Sequence, residues 1–344
     1  MIVMNWNIEH MNSWWEGGSA DPPTMRTTFG GNSFSPAITD VQGLATRVGN
    51  VINAVGPDVV TIQEGAGMPE MVDFFDRFVD GDDWSIQRGS GGGQALVVAA
   101  RVGAGNTVTA LGPGPEVVGE IDLGEPYVAD VDADLEVNPV NFARMPQVIN
   151  LTAHGEAMTL INNHLKSKFV RDGESRFNAG GETRLRFFAD ALVARRRISG
   201  EAFRIRSFLD ALFGQAPNAL VVVTGDLNDG AGADFFEENF LTHSVVDRVF
   251  GSIFRPATQL RHVLFHGGST DFTAQFFDFI TGELRDLVLD HIGLSPAIDQ
   301  GWTWAGRVAV AEFEAQVIDD SSLNDRDQAP SDHRPVVVEM TPNP

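Results

Sequence analysis

The sequence predicts an α/β protein in which two mostly antiparallel β-sheets pack together and helices lie outside them. Three observations carry this prediction. Short apolar runs of strand length recur along the whole chain, helical patterns occur singly between them, and no linker-like stretch divides the 344 residues. We therefore expect a single domain spanning residues 1–344.

In the first third of the chain the elements are separated by glycine-rich and proline-rich segments. The run "IVMNWNI" (2–8) predicts a strand. Apolar residues at helical spacing then predict a helix over 37–54, which Gly56 terminates. "DVVTIQE" (58–64) is typical of a buried strand, and "GGGQALVVAA" (91–100) of a glycine-rich turn that enters another strand.

The rest of the chain repeats this alternation. Strands at 145–153 and 157–165 are separated by a hairpin turn, and a long helical region covers 181–213 with a break expected near Gly200. The apolar run at 219–225 predicts a further strand. The remaining predicted elements are a helix at 233–240 and strands at 286–295 and 334–340.

Composition narrows the class of protein. Apolar residues make up 43% of the chain, enough for a substantial core, and no apolar run approaches the roughly 20 residues of a membrane span. The absence of cysteine excludes disulfides, thiolate nucleophiles and cysteine zinc sites. We expect a monomer without a membrane span. The compartment stays open: cytoplasmic if Met1 is the native start, secreted if a leader was removed.

Charge is distributed unevenly. The formal net charge of −23 argues against tight, sequence-independent binding of duplex nucleic acid. Residues 162–207, however, hold 11 of the 24 Lys and Arg residues against 5 Asp and Glu. This basic stretch predicts either a surface for a phosphate-bearing substrate or a solvated helix face.

One stretch raises a chemical question. In "VVVTGDLNDG" (221–230), a buried strand ends on Asp226 and Asn228, which an extended backbone would point in the same direction. Gly, Asp and Asn are also ordinary turn residues, so this stretch alone fits a turn equally well. The other strands settle the choice, since several of them also end on polar residues. These residues are Asn7, Glu64, His164, Asp290, His291, Asp332 and His333.

The residue types at these strand ends are chemically coherent. Carboxylate and amide oxygens suit Mg²⁺ or Mn²⁺, and imidazoles can donate to a phosphoryl oxygen or accept a proton from water. Taken singly, Asn7 is an ordinary strand-end hydrogen bonder, His164 a core histidine and Asp332-His333 a turn. Their joint occurrence predicts a metal-assisted hydrolytic site.

Read in order, "WNIE", "PDVVTIQE", "NNHLKSK", "GDLND", "LDHI" and "SDHRPV" resemble the endonuclease/exonuclease/phosphatase superfamily, which includes deoxyribonuclease I. The match runs from residue 5 to about 338, and "NNHLKSK" resembles a group of bacterial nuclease-like proteins most closely. The resemblance implies a four-layer α/β sandwich. Three segments match no family motif and are expected to be insertions: 10–36, 102–140 and 251–285. His291 departs from the many relatives that carry an aromatic residue there.

The resemblance also implies a role for each matching residue. The metal site is expected at Asn7, Glu64 and Asp332, with Glu9 supporting it indirectly. The expected cofactor is Mg²⁺ or Mn²⁺, with Ca²⁺ as a further candidate for a structural ion. The residues expected to act on phosphate and water are His164, Asp226, Asn228, Asp290 and His333, with Asp290 paired to His333.

The predicted function is divalent-metal-dependent hydrolysis of phosphate esters. A phosphodiesterase or nuclease is favoured by the basic stretch, and a small-molecule or lipid-headgroup phosphodiesterase or phosphatase is the alternative, favoured by the overall acidity. Nucleic acid is therefore a candidate substrate. Lys166, Lys168 and Arg184 are predicted to bind substrate, with Arg171 and Arg176 extending the track. Residues 195–197, three consecutive arginines, are expected to form a solvated helix face.

Overall fold

The computed structural model describes residues 1–17, 22–32, 35–90, 92–132, 134–240, 244–265 and 271–344. Two six-stranded sheets face each other, and three two-stranded ribbons lie beside them. The strands are β1 (Ile2–Asn7), β2 (Val59–Gly65), β3 (Trp84–Arg88), β4 (Ala95–Arg101), β5 (Val108–Pro113), β6 (Val117–Val118), β7 (Ile121–Asp122), β8 (Tyr127–Ala129), β9 (Asn138–Val140), β10 (Gln147–Ala153), β11 (Glu156–His164), β12 (Leu220–Asp226), β13 (Arg261–His262), β14 (Ala274–Asp278), β15 (Glu283–Leu287), β16 (Asp290–Leu294), β17 (Trp302–Val308) and β18 (Val336–Pro342).

The longer helices lie on the outer sides of the two large sheets. The helices are α1 (Val41–Val55), α2 (Met68–Phe78), α3 (Gly173–Ala179), α4 (Gly181–Gln215), α5 (Phe235–Phe240), α6 (Val245–Phe250), α7 (Pro296–Gly301), α8 (Val310–Glu314) and α9 (Asp325–Gln328), with a 3₁₀ turn at Met11–Trp14. Helix α7, by contrast with the longer helices, adds Ile298 to the cluster between the sheets. None of the described helices has the length and apolar character needed to cross a membrane.

Both large sheets are mostly antiparallel, as predicted, and each has one parallel pair at its centre. The first has the order β17-β18-β1-β2-β4-β3, with β1 parallel to β2. The second has the order β13-β16-β12-β11-β10-β5, with β11 parallel to β12. Because parallel neighbours end at the same sheet edge, these central pairs bring four strand ends to one side of the molecule.

Apolar side chains hold the layers together. Val3, Val59, Leu160 and Val222 belong to one buried cluster between the sheets. A second cluster packs α1 and α2 against the first sheet, and a third packs α4 and α6 against the second. Burial of this kind stabilises by about 25 cal/mol per Å² of apolar surface. The result is the four-layer α/β sandwich that the motifs predicted.

Local sequence explains where α1 begins and ends. The Asp40 carboxylate accepts a hydrogen bond from the backbone N–H of Gly43, which satisfies a free donor of the first turn. Gly56 closes the helix at φ 61°, a left-handed conformation that glycine adopts without steric cost. Helix α1 is therefore delimited by two short-range signals visible in the sequence.

Two predicted elements were wrong in detail. Helix α4 runs without interruption through Gly200, because burial of one face against the second sheet offsets the low helix propensity of glycine. The apolar run at 286–295 is two elements: β15 ends at Leu287 and β16 begins at Asp290. The chain changes pairing partner between them, from β14 to β12 and β13.

The three segments without family motifs contain some of the smaller elements. Segment 10–36 contains the 3₁₀ turn, 102–140 contains β5 to β9, and 251–285 contains β13 and β14 and the start of β15. Within these segments, residues 18–21, 33–34, 133 and 266–270 lie outside the described residues.

Candidate active site

The predicted site residues of the second sheet lie side by side at strand ends. In the strand register, His164 of β11 is opposite Asp226 of β12, and Asp226 is opposite Asp290 of β16. Across the gap between the sheets, Asn7 at the end of β1 donates from Nδ2 to Oδ2 of Asp226 at 3.0 Å. Residues more than 200 positions apart in sequence thus share one buried polar cluster.

Asp226 is held by hydrogen bonds on both carboxylate oxygens. Oδ2 accepts from Asn7, and Oδ1 accepts from the backbone N–H of Asn228 at 2.8 Å. Burial raises the pKa of Asp226 to about 7, although the nearby His333 opposes this shift. A carboxyl group with a pKa near neutrality is suited to exchange a proton with water.

The geometry around Gly225 explains how the strand turns into this site. A Cβ atom at this position would lie 2.2 Å from the carbonyl oxygen of Asn163, so only glycine fits. The strand ends at Asp226, and Asn228 has a left-handed backbone with φ 53°. The extended backbone that would aim both side chains the same way therefore ends at Asp226. Asn228 instead donates from Nδ2 to the carbonyl oxygen of Leu165 at 3.0 Å.

Glu64 lies at the end of β2 with a left-handed backbone at φ 60°. Its Oε2 accepts a hydrogen bond from the backbone N–H of His10 at 2.9 Å and lies 3.1 Å from Nδ1 of the same histidine. Its Oε1 lies 3.8 Å from Nε2 of His164, which is also 3.6 Å from Oδ2 of Asp226. His164 is therefore placed between the two carboxylates.

Three residues around the Glu64 carboxylate have a strained backbone conformation. Glu9, His10 and Glu64 all have positive φ, an uncommon conformation for residues with a side chain. Such strain persists where surrounding contacts over-determine the conformation, and it occurs preferentially at functional sites.

His333 is bound to Asp290. Its Nδ1 lies 2.6 Å from Oδ2 of Asp290, which is fully buried. Burial alone would lower the pKa of His333, but the carboxylates of Asp290, Asp332 and Asp226 raise it well above its usual value. For His164 the balance is the opposite: burial and the charge of Arg144 hold its pKa well below the usual value. The site thus combines a cationic and a neutral imidazole.

Glu9 and Asp332 complete the acidic rim. Burial and the charge of Asp332 raise the pKa of Glu9 to about 7, while Arg326, whose Nε lies 3.0 Å from Oε2 of Glu9, opposes the shift. The Asp332 side chain is 59% exposed, and its Oδ1 is 4.0 Å from Nε2 of His333. The carboxylates of Asp332 and Glu64 thus repel that of Glu9, and the Arg326 guanidinium offsets part of this repulsion.

The donors at this rim fit a hard divalent cation. Asn7, Glu64 and Asp332 offer amide and carboxylate oxygens, the ligand types that Mg²⁺ and Mn²⁺ prefer. Mg²⁺ usually keeps several waters and needs only one or two protein carboxylates, which matches this sparse set. Among the described residues, one group of three acidic or histidine side chains has all its ligand atoms within 4.8 Å of one another: Asp130, Asp132 and Asp134, in the largely exposed loop between β8 and β9.

The predicted substrate-binding cations are placed differently from one another. Lys166 follows the end of β11, and its Nζ donates to the carbonyl oxygen of Ser167 at 2.8 Å. The ammonium of Lys168 contacts the carboxylates of Asp229, at 3.0 Å, and Glu237. Arg184 donates to the carbonyl oxygen of Phe177, and its guanidinium lies over that ring. The charged groups of Lys168 and Arg184 are therefore engaged by other parts of the protein and are not directed at the strand-end site.

The arginine triplet at 195–197 is not a uniform solvated face. Arg195 is buried, forms an ion pair with Asp234 and lies over the ring of Phe236. Arg196 is half-buried and only Arg197 is exposed. The expectation was wrong for Arg195 because α4 packs against α5 on that side, where Asp234 supplies the counter-charge.

Three site residues were not found from the sequence. His10 directly follows "WNIE", and its position after a strand end was the available signal. Arg144 donates from Nε and Nη2 to the carbonyl oxygens of His164 and Leu165 at 3.0 and 2.6 Å. Arg144 and Arg326 bind the site through backbone carbonyls and a carboxylate from distant segments, so no local pattern marks them.

His291 belongs to a buried hydrogen-bonded chain behind the site. Its Nε2 is 2.7 Å from the carbonyl oxygen of Asp229, and its Nδ1 is 2.7 Å from Nε2 of His262. Because a carbonyl only accepts, Nε2 of His291 carries the proton, and Nδ1 accepts from His262. This pair supports the loop that follows Asp226.

The fold was compared with known proteins. No protein-family model matches the sequence, and no curated protein matches it. Among solved structures, the catalytic domain of human Nocturnin with bound sulfate is 13% identical, with a TM-score of 0.51 over 100% of this chain and 94% of that one. Truncated TDP2 from Caenorhabditis elegans is 14% identical, with a TM-score of 0.50 over 99% and 97%.

A third solved structure carries the family name. It is an endonuclease/exonuclease/phosphatase family protein from Bacteroides thetaiotaomicron, 11% identical, with a TM-score of 0.50 over 100% of this chain and 98% of that one. At such identities the likeness is one of fold. The chain has the fold of the endonuclease/exonuclease/phosphatase family, as its six ordered motifs predicted.

Proposed function

We propose that the protein is a divalent-metal-dependent phosphoric ester hydrolase that uses water as the nucleophile. One observation carries the proposal: strand ends from both sheets bring Asn7, Glu64, His164, Asp226 and the Asp290–His333 pair into one polar cluster. Carboxylates can bind a metal ion or accept a proton from water, and imidazoles can donate to phosphoryl oxygens, so this set suits phosphate-ester hydrolysis. The shared fold with an endonuclease/exonuclease/phosphatase family protein supports the same chemistry.

Glu64, with Asn7 and Asp332, would hold Mg²⁺ or Mn²⁺. The bound cation would neutralise charge on a phosphoryl oxygen. The contact between His10 and Oε2 of Glu64 leaves Oε1 directed towards His164, on the side of Asp226. The protein thus presents one carboxylate oxygen to a ligand and fixes the other.

Asp226 is the proposed base. Its hydrogen bonds to Asn7 and Asn228 fix the carboxylate, and its raised pKa suits it to take a proton from water. The water oxygen bonds to phosphorus in line with the leaving oxygen, which keeps the electron pair of the broken P–O bond. Cationic His333, oriented by Asp290, and the side chains of His164 and Asn228 would stabilise the charge on the phosphoryl oxygens.

The structure favours a compact substrate over a polymer. Along the basic stretch 162–207, most guanidinium and ammonium groups are bound by the protein itself. Carboxylates bind Lys168, Arg176, Arg186, Arg195 and Arg206, and backbone carbonyls bind Lys166, Arg184 and Arg204. A continuous phosphate track needs free cations, so we place a small phosphodiester or phosphomonoester ahead of nucleic acid.

Turnover of bis(p-nitrophenyl) phosphate, with Mg²⁺, Mn²⁺ or excess EDTA, tests the proposal. We expect hydrolysis with metal and loss of hydrolysis in EDTA. Glu64→Gln should raise the metal concentration needed for half-maximal activity, whereas Glu174→Gln, on the exposed surface of α3, should leave it unchanged. Hydrolysis that is undiminished in EDTA would contradict the proposal. Plasmid nicking in the same buffers tests the polymeric substrate.

A further inference from the structure

A groove of about 580 Å³ lies along the middle of α4, apart from the strand-end site. Its volume falls in the range of small-molecule binding sites. The side chains that define it are Tyr127, Val128, Arg196, Phe203, Phe240 and Arg248. The turn of α4 that contributes Ser199 and Gly200 to this groove also carries Glu201, whose carboxylate accepts from the backbone N–H groups of Ala143 and Lys166.

The groove holds two arginines without counter-ions. Within the part of the chain that the structure describes, the guanidinium groups of Arg196 and Arg248 form no ion pair and no hydrogen bond. This sets them apart from Arg195 and Arg206 of α4, which have carboxylate partners. Among the described residues that line the groove, Asp130 is the one with a carboxylate, and it has an interaction of its own. Two free guanidinium groups at one cleft are suited to bind an anion.

Tyr127 provides an independent sign of a ligand. Its side chain is 5% exposed, yet its hydroxyl group has no hydrogen-bond partner among the described residues. The ring lies against Gly200, where an added Cβ would be 3.1 Å from Cε2 and 3.4 Å from the hydroxyl oxygen. Burial raises the pKa of Tyr127, so the hydroxyl keeps its proton and can donate. A buried donor of this kind is normally satisfied by protein, water or a ligand.

The remaining wall of the groove is apolar and exposed. Phe203 is 56% exposed, Phe240 49% and Val128 67%. Aromatic side chains exposed beside arginines offer flat faces on which a planar ring can stack.

We propose that this groove binds an organic phosphate that carries a planar aromatic ring, of which a mononucleotide is the simplest example. Arg196 and Arg248 bind the phosphate, the Tyr127 hydroxyl donates to the ligand, and the ring lies on Phe203. The groove is separate from the strand-end site, so this proposal does not depend on the proposed hydrolysis.

Isothermal titration calorimetry with AMP, adenosine and inorganic phosphate, each in EDTA, tests this proposal. We expect AMP to bind at least tenfold more tightly than either fragment, because only AMP engages both the arginines and the apolar wall. Equal affinities for AMP and inorganic phosphate would overturn the proposal, since the ring would then contribute nothing.

Variants locate the binding. Arg196→Gln with Arg248→Gln should weaken AMP binding at least 100-fold, and Tyr127→Phe about tenfold, as the loss of a hydrogen bond to a charged group implies. Arg186→Gln with Arg255→Gln removes the same charge from exposed positions and should change nothing. AMP binding that survives the Arg196/Arg248 change places the ligand elsewhere and overturns the proposal.

Two further measurements complete the test. Hydrolysis of bis(p-nitrophenyl) phosphate should be unchanged in the Arg196/Arg248 double variant, which separates this groove from the strand-end site. Sedimentation velocity of the parent and of Phe203→Ser reports the other occupant that an apolar groove can have. Concentration-dependent dimerisation that Phe203→Ser abolishes, without AMP binding in the parent, would show that the occupant is a second copy of the chain.

Discussion

The strand-end site and helix α4 are both rich in ionisable residues, but they treat charge in opposite ways. At the strand ends, carboxylates and imidazoles from both sheets face one another, and the pKa values of Glu9, Asp226 and His333 are all raised. Along α4, Arg186 and Arg206 bind carboxylates four residues away, and Arg195 binds Asp234 of a neighbouring segment. At the strand ends, close ionisable groups shift one another's pKa values, whereas on α4 three of the arginines, Arg186, Arg195 and Arg206, are paired with carboxylates.

The contrast follows from side-chain length and backbone rigidity. Short Asp, Asn and His side chains on a paired strand cannot leave the sheet edge to find other partners, so the register alone decides what they contact. Long Arg side chains on a helix reach residues three or four positions away. A cluster of Lys and Arg residues in a helical segment is therefore weaker evidence for a binding surface than polar residues at the ends of several strands.

The largest expected effect is on stability, and it tests whether Arg195 of α4 serves as a buried ion-pair partner of Asp234. Arg195→Ala leaves Asp234 buried without its counter-ion, which costs about 3–5 kcal/mol of unfolding free energy. Arg197→Ala, at an exposed position, should cost no more than about 0.5 kcal/mol. Urea denaturation of both variants measures the difference. Equal stabilities, together with a raised KM in Arg195→Ala, would show that Arg195 binds substrate and not Asp234.

The next effect is on catalysis at the strand ends. His333→Ala removes the proposed cationic donor and should lower kcat about 10²–10³-fold, or about 2.7–4 kcal/mol, in a steady-state assay with Mn²⁺. His154→Ala is the matched control, since His154 lies in the turn at the opposite end of β11 and its side chain is largely outside the core. Circular dichroism verifies that both variants are folded. Near-normal turnover of folded His333→Ala contradicts its role.

A smaller effect should separate two neighbouring lysines. Lys166 has no carboxylate contact among the described side chains, whereas Lys168 is held by Asp229 and Glu237. Lys166→Gln should therefore raise KM for an anionic ester up to about tenfold, equivalent to about 1.4 kcal/mol, while Lys168→Gln leaves KM unchanged. Substrate titrations of the two variants measure this. A rise in KM confined to Lys168→Gln would reverse the assignment.

The smallest expected effect concerns pH and the loop behind the site. Burial lowers the pKa of His291, which Asp229, Asp290, Lys168 and His262 surround, so the folded protein keeps this imidazole neutral. The unfolded chain gains a proton below pH about 6.5, and stability falls there by at most about 1.4 kcal/mol per pH unit.

His291→Gln removes the imidazole that takes up a proton when the protein unfolds. Its unfolding free energy should decrease less between about pH 7 and pH 5 than that of the parent protein, by about 1 kcal/mol, as urea titrations at each pH would measure. Identical pH slopes in parent and variant would show that folding leaves the pKa of His291 unchanged.

Much of the fold could be predicted because its signals are local. The apolar runs around β2 and β12, the helical spacing of α1 and the terminating Gly56 all act within a few residues. Errors arose where tertiary packing overrode local preference, as at Gly200 within α4, and where one apolar run changes pairing partner, as between β15 and β16.

The site residues also differ in whether a local sequence signal marks them. Asp226 and Glu64 stand out because each ends an apolar strand. His10 and Arg144 could not be identified with equal force, since their roles depend on a left-handed backbone and on carbonyl groups exposed by another strand.

The sequence by itself determined the two mostly antiparallel sheets, the six ordered motifs and the polar residue types at the strand ends, because strand and turn preferences are properties of neighbouring residues. Only the tertiary structure decided which charged side chains are paired within the protein and which can bind a ligand. The ion-pair partner of Arg195, Asp234, and the hydrogen-bond partner of Asp226, Asn7, are set by distance in space, and only the packing of helix on sheet and sheet on sheet fixes that distance.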